Sequence, residues 1–193
     1  MAPPDPLLAT DKQLSLTRRA AVLESALVTF TRYGYRKSSM ADVAVAAHIS
    51  RPGLYFLFES KEHLFRSAIT HALETDLMNV ERILELDDDP LRARLLKAFD
   101  QWAGRYLGPA SVDLAGVIRE DPQLIGDVVH SAPQRFEELI TLAIMQARSP
   151  ADRGAAAALA QTAISLSVGI KYQVVDRSEF LERLSRGLEL LIR

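Results

Sequence analysis

The chain of 193 residues contains no cysteine. That absence excludes a disulfide scaffold, thiol catalysis and any cysteine-ligated zinc or iron–sulfur centre. Long apolar runs are missing too, since no uninterrupted stretch approaches the roughly 20 residues that a spanning helix needs. Residues 1–13 carry Asp5, Asp11 and three prolines around a short Leu7–Leu8 pair, which is not a signal-peptide pattern. A soluble, cytoplasmic protein is therefore expected. Strand signatures are lacking as well: no convincing run alternates β-branched or aromatic residues with polar ones. What remains is 48% hydrophobic and 25% charged, which is ordinary globular usage and argues against wholesale disorder. The length suits one domain, or a small domain joined to a larger one.

The net charge of −2 conceals an asymmetry. Residues 1–66 hold nine basic against six acidic side chains, and residues 67–193 hold fourteen against nineteen. A basic segment on an acidic body suits a nucleic-acid reader, because neutralising phosphates supplies affinity independent of sequence. An imbalance of three over that stretch also lies within chance, so charge alone decides nothing.

Apolar residues recur at helical spacing, as in Leu23, Ala26/Leu27 and Phe30, and again in Leu73, Leu77, Val80 and Leu84. The breaks are well marked. Gly34 follows the first helix where a positive φ is wanted. Ser39 with Asp42 forms a capping box, which predicts a helix over 39–47. Ser50 caps the next, over 50–57, with Pro52 tolerated in its first turn. Ser60 caps a long helix running to about 86. Further helices are expected over 90–107, between 122 and 147 with Pro133 kinking or dividing it, over 150–169 and over 177–192. The fold class is thus all-α, with about nine helices. Residues 1–14 are expected to form a disordered tail, 15–60 a small first domain followed by the first turns of a linking helix to about 66, and 67–193 a second, helical domain.

The segment between Phe30 and Phe65 is the informative one. Two helices of only about eight residues are marginal alone, so their apolar faces must pack on the first helix. Val43, Ala46/Ala47, Ile49, Leu54 and Phe58 supply that face, and Ala44 and Ala47 allow a close crossing. This is a helix-turn-helix, which presents its second helix as a ridge of about major-groove width. Arg51 at the start of the ridge can take a guanine edge or a phosphate. Pro52 and Gly53 let backbone approach backbone, Tyr55 can offer its hydroxyl to phosphate, and Phe56 can touch a thymine methyl. Ser39, Ser50 and Lys61 sit at helix starts suited to phosphate, and Arg36 and Lys37 extend the same flank. Tyr55 and Phe56 could instead be core aromatics. Adjacent residues on a helix point about 100° apart, however, so both cannot face one core.

Gly34-Tyr35, then Ser38-Ser39-Met40-Ala41-Asp42-Val43-Ala44, then Ala47-His48-Ile49-Ser50-Arg51-Pro52-Gly53-Leu54-Tyr55-Phe56-Leu57-Phe58, then Ser60-Lys61-Glu62-His63-Leu64 resembles the N-terminal signature of tetracycline-repressor (TetR) type bacterial regulators. His48 stands where that family most often has glycine, and Ser39 where it most often has threonine. Serine keeps the hydroxyl, and histidine tolerates positive φ better than most residues. The resemblance implies a DNA-binding domain, a helical body that forms a homodimer, and a small-molecule pocket within that body. It also implies that Ser39, Arg51, Pro52, Gly53, Tyr55, Phe56 and Lys61 lie at or near DNA. The implied function is a ligand-responsive regulator, by family default a repressor, released from a palindromic operator by a small, largely apolar effector.

The second domain offers candidates for the other two roles. One recognition helix reads too few base pairs for specificity, so paired half-sites and a dimer are needed. Leu159, Ala163, Leu166 and Ile170, with Phe180, Leu184, Leu188 and Leu191, form two apolar stripes suited to an interface or to an internal core. Phe99, Trp102 and Tyr106 form an aromatic stripe, with Leu77, Val117, Ile118, Phe136, Leu139 and Ile140 as opposing walls of a candidate pocket. Such a stripe is equally the pattern of core packing.

Other functional classes fare worse. Asp127 and His130 make the only pair with a carboxylate three residues before a histidine, far short of a bundle metal site. No Gly-rich phosphate loop, nucleophile elbow or His-Glu-x-x-His occurs, so neither enzyme nor cofactor is expected. An all-α scaffold or protein-interaction module remains the alternative, and the polar surface around Arg51, Tyr55 and Lys61 argues against it.

Overall fold

A computed structural model describes residues 6–85, 89–107, 124–147 and 153–192, with side chains from residue 16 onward. Among these residues the fold is eight α-helices and one 3₁₀ turn, without strands. The helices are α1 (Pro6–Tyr33), α2 (Met40–Ala46), α3 (Arg51–Leu57), α4 (Lys61–Glu85), α5 (Leu91–Trp102), α6 (Val128–Ala147), α7 (Arg153–Lys171) and α8 (Arg177–Leu191); the 3₁₀ turn is Gly104–Tyr106. The chain divides into two compact units. The first spans Met1–Ala72 and Asp113–Gly126, and the second spans Leu73–Val112 and Asp127–Arg193. The boundary falls inside α4, whose first three turns belong to the first unit.

In the first unit, α1 packs on α2 and α2 on α3. Val22, Ala26 and Phe30 from α1 meet Val43, Leu54, Phe58, Leu64 and Phe65 in a buried core. Phe30, Tyr35 and Phe65 form an aromatic cluster, with Phe30 edge-on to Phe65 at 5.1 Å. The punctuation works as its chemistry demands. Gly34 takes φ 81°, and His48 in the turn between α2 and α3 takes φ 54°. Ser39 accepts from the Asp42 N–H while the Asp42 carboxylate accepts from the Ser39 N–H, closing the capping box. Ser50 Oγ accepts from the Gly53 N–H, with Pro52 in the first turn, and Ser60 Oγ accepts from the His63 N–H. Ala46, expected on the packed face, is exposed, and Ala44 is the small buried residue instead.

Three boundaries differ from expectation. The backbone is helical from Pro6 rather than from about 15; a proline in the first helical position is pre-set for that conformation. The helix expected over 90–107 ends at Trp102 and tightens into the 3₁₀ turn. Gln101, Arg105 and Tyr106 all reach one acceptor, Asp76; a continuous α-helix would put Gln101 and Arg105 on one face and turn Tyr106 away from it. Pro133 does not divide α6, which runs unbroken from Val128. It lies in the second turn, so only the Val129 carbonyl loses a helical partner.

The second unit buries Leu95, Ala98 and Phe99 of α5, Phe136, Ile140 and Ile144 of α6, Ala156, Ala160 and Ala163 of α7, and Phe180, Leu184 and Leu188 of α8. A side chain at Gly187 would collide with Leu166, so this glycine permits the close packing of α8 on α7. Asp176 caps α8 by accepting from the Glu179 N–H. Arg177 then holds Asp100 of α5 bidentately at 2.6–2.7 Å, which raises the pKa of the guanidinium. Among the described residues no helix is long and apolar enough to cross a membrane.

Candidate nucleic-acid interface

Leu54 is fully buried and anchors α3 from beneath, which turns the rest of this seven-residue helix outward. Arg51, Pro52, Tyr55 and Phe56 are all exposed, and Phe56 is 90% so. The core reading of the aromatic pair is thereby excluded. The Arg51 guanidinium lies 5.7 Å from the centre of the Tyr55 ring, so the two polar ends of the ridge sit together. Gly53 is half-buried, and a Cβ there would press on the Ser50 hydroxyl that caps the helix.

Arg36, Lys37, Ser39 and Ser50, in the same unit as this ridge, are exposed too. Lys61, half-buried at the start of α4, holds its ammonium 4.3 Å above the Tyr35 ring. Burial pushes its pKa below the ordinary lysine value, and the charge of Asp42 opposes that shift. The hydrogen bonds from the Ser39 side chain and backbone hold the Asp42 carboxyl below the usual range. Because the Ser39 hydroxyl donates to Asp42 Oδ2 at 2.7 Å, its proton is already committed to the capping box. Every expected DNA-facing side chain thus belongs to one unit, and each is exposed apart from the half-buried Gly53 and Lys61.

The candidates in the second unit are placed differently. Phe99, Phe136 and Ile140 are fully buried and Leu77 nearly so, while Trp102, Tyr106 and Leu139 are half-buried. Trp102 stacks flat on Phe136 at 4.8 Å, and Phe99 meets Phe136 edge-on at 5.3 Å, so the aromatic stripe is a packed cluster. Val117 and Ile118 lie outside the described residues. Next to this cluster is a group the sequence reading missed, the carboxylate of Asp76, which is completely buried. It accepts from Gln101 at 2.8 Å and from Arg105 and the Tyr106 hydroxyl at 2.5 Å each. Burial raises the Asp76 pKa against those three donors, and burial beside the carboxylate raises that of Tyr106. A signal was available: Asp76 interrupts the Leu73, Leu77, Val80 stripe on its buried side.

The two apolar stripes expected at a subunit interface are occupied within the protomer. Ala163, Ile170, Phe180, Leu184 and Leu188 are buried in its core, and Leu159, Leu166 and Leu191 pack against it. The outward side of α7 instead carries Ala155, Ala158, Thr162, Ser165 and Val168, continuing to Tyr172, which is 77% exposed.

With the geometry in place, similarity to known proteins becomes informative. The pattern that defines "Bacterial regulatory proteins, tetR family" matches residues 22–68. Residues 22–68 carry the tetR-family pattern. That match spans α1 from Val22, all of α2 and α3 and the first turns of α4, the elements that build the tetR-type ridge. An uncharacterized HTH-type transcriptional regulator of Bacillus subtilis, YfiR, is 35% identical over 68 residues, covering 35% of this chain and 33% of that protein. The chain spans about a third of the length of the curated relatives it matches first. A tetR-family protein from Mesorhizobium loti superposes with a TM-score of 0.75 at 16% identity, over 92% of this chain and 96% of its own. A protein from Saccharomonospora viridis, solved in complex with choline, gives 0.71 at 20% identity, over 91% and 96%. At these identities the likeness is one of fold, and it extends across both units of the chain.

Proposed function

We propose that this chain is a tetR-family transcriptional regulator that binds a palindromic operator as a homodimer and responds to a small, largely apolar effector. The observation that carries the reading is the outward ridge of α3, where Arg51, Tyr55 and Phe56 are exposed in the same compact unit as Arg36, Lys37 and Lys61. Tyr55 and Lys61 serve as phosphate contacts that set register. Arg51 and Phe56 address base edges, the one by guanidinium hydrogen bonds and the other by apolar contact. Ser39 and Ser50 hold the two short helices rather than the duplex, since each hydroxyl is engaged in its own cap.

Pairing of protomers falls to the outward side of α7, because the inward stripes are already covered. Small residues from Ala155 to Ser165 permit close approach of a second helix, and Val168 and Tyr172 add apolar area at the end. Val168→Glu is expected to yield a folded monomer by sedimentation. The effector site is assigned to the second unit, near Trp102, Phe136 and the Asp76 cluster, where apolar walls lie beside a few polar groups. The related fold with bound choline supports a ligand role for such a unit. Any effector acts only through a difference in affinity between two states of the protein.

Selection of bound duplexes from random DNA with the full chain tests the reading, followed by affinity against salt on the enriched sequence. Enrichment of an inverted repeat, with log affinity falling steeply as log salt rises, is expected. A slope near zero, or no enrichment, sinks the regulator and leaves an interaction module.

A further inference from the structure

A seven-residue helix cannot hold its own orientation, and the free carbonyls of its last turn need partners. At the end of α3 one of those carbonyls receives a donor from a different helix: Arg19 of α1 donates from a terminal guanidinium nitrogen to the Leu57 oxygen at 3.1 Å, across 38 residues of sequence. The same guanidinium lies 4.3 Å from the centre of the Phe58 ring. Phe58 is fully buried, closes α3 through its N–H to the Leu54 carbonyl, and meets the His63 ring edge-on at 5.7 Å. Only residues 58–60 join α3 to α4. Arg19, Phe58 and His63 therefore stack across the joint between the two helices. A cation at a helix C-terminus is also favoured by the helix dipole.

We propose that Arg19 is a positioning residue for DNA recognition: it pins the C-terminal end of α3, and so fixes the angle at which the ridge enters the groove, without contacting DNA. The proposal rests on the operator reading above. It places part of the binding specificity in α1, outside the helix-turn-helix itself.

The experiment compares the parent chain with Arg19→Met and Arg19→Lys, on the operator recovered by selection and on a random duplex, over a salt series, with thermal melting alongside. Methionine keeps an apolar stem over Phe58 but cannot donate. The Met variant is expected to stay folded and to lose about tenfold in affinity per half-site, the size of one charge-assisted hydrogen bond, and so about a hundredfold on a two-half-site operator. Its affinity for random duplex and its salt slope should match the parent, and the Lys variant should recover part of the loss. A slope reduced by about one per subunit makes Arg19 a phosphate ligand and overturns the proposal. Operator affinity within twofold of the parent in a folded Met variant overturns it as well. Should the Met variant fail to fold, the Lys variant is judged alone: loss of operator affinity at parental slope supports the proposal, and parental affinity overturns it. If selection enriches no duplex at all, the regulator reading itself has failed, and the positioning role falls with it.

Discussion

Phe56 offers the cleanest separation of folding from recognition. It is 90% exposed on α3, so truncation to alanine removes almost no buried contact. The stability change of Phe56→Ala should stay within about 0.5 kcal/mol, as for ordinary surface positions. In the groove, the ring's expected work is to cover a thymine methyl. Burying one such group contributes about 0.8 kcal/mol, which is roughly fourfold in affinity per half-site and about sixteenfold for a two-half-site operator. Fluorescence anisotropy on the selected operator, with each thymine replaced in turn by deoxyuridine, measures the contact directly, because the replacement removes only the methyl. The parent protein should lose about fourfold at one position in each half-site. Phe56→Ala should bind the unmodified operator more weakly and be indifferent to the replacement there, giving a coupling in the double-mutant cycle. An alanine variant as tight as the parent, or one that still senses every methyl, refutes the assignment.

Three further outcomes follow from the geometry. His48 sits at φ 54°, so His48→Gly should stabilise the chain by about 1 kcal/mol, or roughly 2–4 °C in melting temperature for a chain of this size. Phe136→Ala empties a buried position between Phe99 and Trp102 and should cost about 3–5 kcal/mol in denaturant unfolding; emission from Trp102, the single tryptophan, should shift red as the stack is lost. The folded chain raises the Asp76 pKa through burial, so it binds that proton more tightly than the unfolded chain does. Stability from this group is therefore present at low pH and declines as pH rises from the ordinary aspartate range through the raised value; Asp76→Asn should remove that part of the slope in a pH series of denaturation midpoints, and an unchanged slope counts against the assignment.

Much of the first unit was legible because its determinants are local. Ser39 and Asp42, Ser50 and Gly53, Ser60 and His63 are each three residues apart, and a cap needs nothing beyond that turn. The adjacency of Tyr55 and Phe56 forced one of them outward for the same reason. In the second unit, periodicity located the helices but could not say what each stripe faces. Leu184 and Leu188 have the spacing of an interface and the spacing of a core, and only the packing of α8 against α5 and α7 decides for the core. Nor could periodicity see that Tyr106 would join Gln101 and Arg105 at Asp76, because that requires the helix to tighten after Trp102.

The same division explains why the contacts that orient helices were missed while those that begin them were found. N-caps are short-range and carried by serine and aspartate, whose side chains reach only their own turn. The C-terminal ends of α3 and α4 are served by long side chains from other helices. Arg19 reaches the Leu57 carbonyl across 38 positions, and the nearly buried Arg94 reaches the Leu84 carbonyl at 2.6 Å across 10. An arginine in a sequence carries no mark of which carbonyl it will find, since its reach and its five donors suit many partners. Helix starts are therefore written locally in this chain, whereas the angle at which the recognition ridge is held depends on tertiary partners. For a DNA reader that angle decides which half-site spacing fits, and so the determinants of operator choice extend beyond α3 into α1.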